Sequence, residues 1–185
     1  MLIAFLMAPQ GVEQIELTEP WEAVTDAGDK PRLLSTKAGR IQAFHHLDRA
    51  DTFPVDEVVA SASADEYGAL VLPGGLANPD SLRMDQDAVA FVRAFFDAGK
   101  PVAAICHAPW TLVEADVVRG RTLTSWPSLR TDIRNAGGRW VDEPVRICTA
   151  APGPLITSRK PGDLKDFCAA LTTEFARAAA AMASR

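Results

Sequence analysis

Apolar residues in this chain fall into two kinds of run. Short unbroken runs at residues 2–7, 69–72 and 103–105 are too short for a helix and apolar on both sides, the pattern of strands buried in a parallel sheet. Longer stretches repeat at helical spacing. Ile15, Trp21 and Val24 do so within residues 12–27, Val89, Val92 and Phe96 within 85–98, and Leu164, Cys168, Leu171 and Phe175 within 163–183. Their alternation predicts an α/β fold. Pro20 predicts a kink in the first helix, after a turn at 8–11, and Gly28 closes it. Further strands are expected at 32–36, 41–47 and 121–125, and a helix at 127–135. Val145–Cys148 and Leu155–Ser158 read as a hairpin. Residues 51–63 are polar, with Val55, Val58 and Val59 as anchors.

The run at 103–105 stops at Cys106, and His107, Ala108 and Pro109 open a helix. Proline suits a first helical turn, where amide hydrogens have no partner to lose. Cys106 therefore sits at a corner between strand and helix, which lifts one side chain above the sheet edge as a nucleophile elbow does. A helix N-terminus offers positive potential, so a lowered thiol pKa is expected. Cys148 and Cys168 read instead as structural residues.

The run at 69–72 ends in Pro73-Gly74-Gly75. Two glycines after a strand let the backbone approach a small group closely and present its amides. The strand, helix and strand over 69–105 form a right-handed crossover, which brings Gly74, Gly75 and Cys106 to one carboxyl edge. Open α/β sheets bind ligands at that edge. By position, the amides of Gly75 and His107 are candidate oxyanion donors. Such chemistry also needs an acid. Glu13 and Glu16 both follow the first strand, and position alone does not choose between them.

Composition narrows the function classes. A chain of 185 residues, 48% hydrophobic and 23% charged, is expected to form one soluble domain over 1–185. A net charge of −5 argues against nucleic acid or an anionic membrane as partner. The first residues lack a basic region and a cleavage site, so they read as a strand rather than a signal peptide. Three cysteines without paired or ligand spacing argue against a disulfide framework or a metal site and suggest a cytoplasmic location.

The sequence resembles the PfpI, or intracellular protease I, branch of the ThiJ/PfpI superfamily. Matching segments include AICHAPW around Cys106, LVLPGG at 70–75, VEQIEL at 12–17, ADVVRGRTLTSWPS at 115–128, NAGGRWVDEPV at 135–145 and LITSRKPGDL at 155–164. The resemblance implies a flavodoxin-like three-layer sandwich, a mostly parallel sheet with helices on both faces, and a homodimer or higher oligomer. It places the elbow cysteine on Cys106, the next histidine on His107 and the glutamate near the sulfur on Glu13. A second acid, supplied by a neighbouring subunit to the histidine, falls on Asp80. Ala108 replaces a usual Gly, Asp80 a frequent Glu, and Trp126 an alternative Tyr, which makes the pocket mouth bulkier. The implied activities are chemistry on small reactive carbonyls or glycation adducts, peptide hydrolysis, or redox sensing by an oxidisable cysteine. The first is favoured, with small carbonyls as substrate and no metal or organic cofactor required.

Overall fold

A computed structural model describes residues 1–150 and 152–183. In chain order it runs β1 (Leu2–Met7), β2 (Gln10–Glu13), α1 (Gln14–Asp26), β3 (Lys30–Ser35), β4 (Arg40–His45), β5 (Asp48–Pro54), β6 (Glu57–Val58), β7 (Ala69–Leu72), α2 (Ala77–Leu82), α3 (Gln86–Asp97), β8 (Val102–Ile105), α4 (Pro109–Glu114), β9 (Thr122–Leu123), α5 (Arg130–Asn135), β10 (Arg139–Trp140), β11 (Val145–Cys148), β12 (Leu155–Ser158) and α6 (Leu164–Ala183). The apolar runs become neighbours at the centre of one seven-stranded sheet of order β11-β12-β8-β7-β1-β3-β6. Every pairing in it is parallel except β11 with β12.

Alternate residues of the central strands feed two cores. Ala4, Leu6, Leu70, Leu72 and Ala104 pack with Phe91, Phe95 and Phe96 of α3 and Leu112 of α4. Ile3, Phe5, Met7, Val71 and Ile105 pack with Leu17 and Val24 of α1 and Phe167, Leu171 and Phe175 of α6. Helices thus cover both sheet faces, as parallel strands require. Cys168 packs partly buried against the second core, and Cys148 is buried at the end of β11.

Several segments differ from the sequence reading, among them the expected helix at 127–135, of which α5 covers only Arg130–Asn135. Residues 10–13, expected in a turn and a helix start, form β2, which pairs with β4 in a small sheet that also holds β5. β5 has no apolar alternation to betray it, because it is a mostly exposed strand at the edge of that sheet. The stretch between Gly75 and Asp85 contains α2, whose Pro79 sits in the first turn. Of residues 121–125, only Thr122 and Leu123 pair, with β10. Among the described residues, no helix is long and apolar enough to cross a membrane.

Candidate active site

The site lies at the carboxyl ends of β1, β7 and β8. Cys106 follows β8 directly and adopts φ 63, a left-handed conformation rare for a residue with a Cβ. Tertiary hydrogen bonds hold it there: its amide donates to Ser158 O at 3.0 Å, and its carbonyl accepts the Trp126 amide at 2.8 Å. Ala108 has φ −52 and ψ −33, an ordinary helical conformation, so alanine in place of glycine brings no backbone strain.

Glu16, and not Glu13, lies against the thiol. Its carboxyl group is fully buried, in hydrogen-bonding relation with Cys106. Oε2 accepts the Gly74 amide at 3.0 Å, and Oε1 has no oxygen or nitrogen partner. Burial lifts the Glu16 pKa to about 8. Gly74 permits this approach, since a Cβ there would come within 2.5 Å of Glu16 Oε2 and 2.6 Å of Cys106 Cβ. Glu13 ends β2 and lines the same cavity, but its Oε2 accepts the His46 amide at 2.9 Å, tying down the turn between β4 and β5. The expected placement of Glu13 at the sulfur fails because the chain stays extended through residue 13 and α1 begins at Gln14. Glu16 then falls on the buried stripe of α1 with Leu17, Pro20 and Val24, a signal legible in the sequence.

The expected acidic thiol is also corrected. Burial pushes the Cys106 thiol up, and the neighbouring Glu16 charge adds to this. The amides of Gly75 and His107 act in the opposite direction, towards the thiolate. Both amides are in hydrogen-bonding relation with the sulfur. α4 has only six residues and starts at Pro109, three positions after Cys106, so it offsets little of the desolvation.

His107 turns towards its neighbour: its Nδ1 is 3.2 Å from Cys106 Sγ. The imidazole stacks on Trp126 at 5.7 Å and tilts against Trp110 at 5.3 Å, and burial lowers its pKa. Asp80 lies exposed on α2, and no hydrogen bond or ion pair joins it to His107. Sequence reasoning missed Asn78. This fully buried residue donates to Pro73 O at 2.9 Å and Gly74 O at 3.0 Å, and accepts the Ala8 amide at 2.7 Å. It thereby fixes the Gly74-Gly75 turn to the end of β1.

These groups enclose a cavity of about 200 Å³ lined by Glu13, Glu16, Gly75, Cys106, His107 and Trp126, among others. A second, more apolar cavity lies between Leu17, Trp21, Leu33 and Phe53, away from the thiol. No group of three His, Cys, Asp or Glu residues among those described could hold a metal ion. The arrangement combines a buried thiol, a carboxyl group that burial holds neutral and two converging amides.

Residues 1–174 match the model of the DJ-1/PfpI family. The chain is 39% identical to Deglycase PfpI of Pyrococcus furiosus over 89% of its own length and 93% of the relative's. It is 37% identical to Protein/nucleic acid deglycase 2 of Escherichia coli, covering 84% of this chain and 87% of that one. The crystal structure of Drosophila melanogaster DJ-1beta superposes with a TM-score of 0.81 at 25% identity, covering 98% and 96% of the two chains. With the family pattern spanning nearly the whole sheet and the Cys106 corner, the chain belongs to the DJ-1/PfpI family.

Proposed function

We propose that this chain is a cysteine-dependent enzyme that acts on small reactive carbonyls and early glycation adducts, of deglycase and glyoxalase type. One observation carries the reading: Cys106 shares a small cavity with Glu16, a carboxyl group that burial keeps protonated up to about pH 8. Relatives named as deglycases support it. A cavity of about 200 Å³ suits a small substrate, since sites for drug-sized ligands run from roughly 300 Å³ upwards. In this reading the whole chain acts as one domain and Cys106 is a nucleophile elbow.

The reactive state has its proton on Glu16 and the charge on sulfur. Once Glu16 is neutral it no longer opposes the thiolate. Neutral His107 takes the thiol proton at Nδ1. With methylglyoxal, the sulfur adds to the aldehyde carbon while Glu16 gives its proton to the oxygen, and the product is a hemithioacetal. Glu16, now a carboxylate, removes the proton from that carbon to give an enediolate; the hydroxyl proton passes to the neighbouring oxygen and Glu16 returns its proton to the adjacent carbon. The result is a lactate thioester. Water adds to it, the C–S bond breaks, and lactate and the thiol are released; one water is consumed and no electrons are exchanged. With a methylglyoxal carbinolamine, the sulfur first displaces the amine, which takes the Glu16 proton. The Gly75 and His107 amides hold the developing oxyanion. Asp80 is assigned to His107 of a second copy, where it would fix the imidazole tautomer.

Turnover of methylglyoxal, a methylglyoxal-modified amino acid and an unstructured protein, measured side by side, tests this. The first two should yield lactate in wild type and not in Cys106→Ser. Hydrolysis of the protein alone would replace this reading with a peptidase.

A further inference from the structure

Three apolar side chains from separate segments line the mouth of the Cys106 cavity, each substantially exposed: Leu47 at 87%, Leu76 at 57% and Trp126 at 38%. Leu47 lies in the tight turn between β4 and β5, beside His46 at φ 57. Glu13 anchors that turn by accepting the His46 amide at 2.9 Å, and His46 Nδ1 lies 3.7 Å from the same Glu13 oxygen. Folding therefore holds a leucine at the cavity mouth without burying it, and uses a buried carboxylate to do so. Below this rim, the Gly75 and His107 amides converge on the sulfur. A carbonyl oxygen bound there, with its carbon on Sγ, leaves the remaining substituent directed outward through the mouth.

We propose that Leu47, Leu76 and Trp126 form an apolar collar that binds the substituent beside the reacting carbonyl, and that Glu13 is the positioning residue that keeps Leu47 in it. The preferred substrates are then 2-oxoaldehydes and adducts that carry an aliphatic or aromatic group, with glyoxal disfavoured. The proposal rests on Cys106 being the reacting group.

The test compares kcat/KM for phenylglyoxal and glyoxal in wild type, Leu47→Ala, Trp126→Ala, Glu13→Leu and Glu13→Gln. Intrinsic reactivity cancels when the ratio is compared between variants. The phenylglyoxal preference should fall about fivefold to tenfold in Leu47→Ala, as expected for lost apolar contact with the ring. Glu13→Leu should lower it similarly, and Glu13→Gln, which keeps an acceptor oxygen, should restore most of it. A parallel arm measures alkylation of Cys106 by N-phenylmaleimide and N-methylmaleimide, each corrected by its rate with free cysteine. This arm needs only the thiol, so it reads the collar even where turnover fails. Ratios equal in all variants would overturn the proposal. So would an effect that tracks protein concentration, with Leu47→Ala changing the size seen by light scattering, because Leu47 would then be packed against a second copy rather than open to substrate. Absence of turnover with a normal maleimide preference would reject the enzymatic reading and leave the collar standing.

Discussion

Glu13 and Glu16 stand three positions apart, both less than a tenth exposed, and meet opposite surroundings. Glu16 projects inward from the first turn of α1, beneath Gly74 and beside a sulfur, where its Oε2 accepts the Gly74 amide at 3.0 Å. Glu13 closes β2 and reaches to the cavity rim, where it accepts a backbone amide and has an imidazole 3.7 Å away. One carboxyl group is therefore held as a proton donor, while the other serves as an anchor for a turn. The difference arises where strand gives way to helix, a boundary that separates the two residues.

The largest effect expected from this contrast is on catalysis. Glu16→Leu should lower kcat/KM for methylglyoxal by at least about 100-fold, the usual scale for loss of a positioned proton-transfer group. Glu13→Leu should cost less than about tenfold. Steady-state kinetics on the two folded variants decides the matter, and the reverse order would exchange the roles assigned here.

The second effect is on stability and its pH dependence. The Glu16 pKa is raised from 4.5 to about 8 in the folded state, so the folded chain holds a proton that the unfolded chain releases. Its favourable contribution is complete below about pH 4.5 and is lost as pH rises towards 8, on the order of several kcal/mol in all. Glu16→Gln removes this titration. Denaturant melts should find the variant gaining on wild type between pH 5 and 8, with little gap at the acid end. A constant gap would place the Glu16 proton elsewhere. By the same argument, wild-type kcat/KM should decline above about pH 8 as Glu16 loses the proton it delivers to the substrate oxygen.

A smaller change should follow from Gly74→Ala, which adds a methyl group between Glu16 and Cys106. The new Cβ meets Glu16 Oε2 at 2.5 Å and Cys106 Cβ at 2.6 Å, so one of them has to move. Turnover should fall about tenfold or more, since even a small misplacement of reacting groups is felt in the rate. Alkylation of Cys106 by iodoacetamide should persist. Equal turnover would show that the spacing of Glu16 and Cys106 is not critical.

Much of this was legible before any coordinates. The runs at β1, β7 and β8 have no polar face to hide, and the break from Ile105 through Cys106 to Pro109 marks a corner by local chemistry alone. Gly74 and Gly75 announced a close backbone approach. What escaped depends on long-range packing. Gln10 and its neighbours pair with β4, which no local pattern reveals, and that pairing decides which glutamate faces the sulfur. Asn78 carries no local sequence signal, because all three of its hydrogen bonds reach backbone groups made adjacent only by folding. The thiol's raised pKa is hidden for a related reason: a helix terminus can be read from sequence, whereas the depth of burial that outweighs it cannot.

The smallest expected effect concerns the anchor itself. If Glu13 acts on the β4–β5 turn through the His46 amide, its loss should be felt locally and hardly at all in the cores, which it does not enter. A single hydrogen bond of this kind contributes about 0.5–1.5 kcal/mol, and one to a charged acceptor somewhat more. Opening of the turn in Glu13→Leu should therefore be favoured by roughly tenfold. Hydrogen exchange at the His46 amide, followed by NMR, should quicken by about that factor, while amides of β7 and β8 keep their wild-type rates. Glu13→Gln should lie between the two, because its side-chain oxygen still accepts but carries no charge. Equal exchange at His46 in all three proteins would mean that the turn is held by its own backbone. Glu13 would then be an acid of the cavity like Glu16, and the contrast between the two residues would collapse.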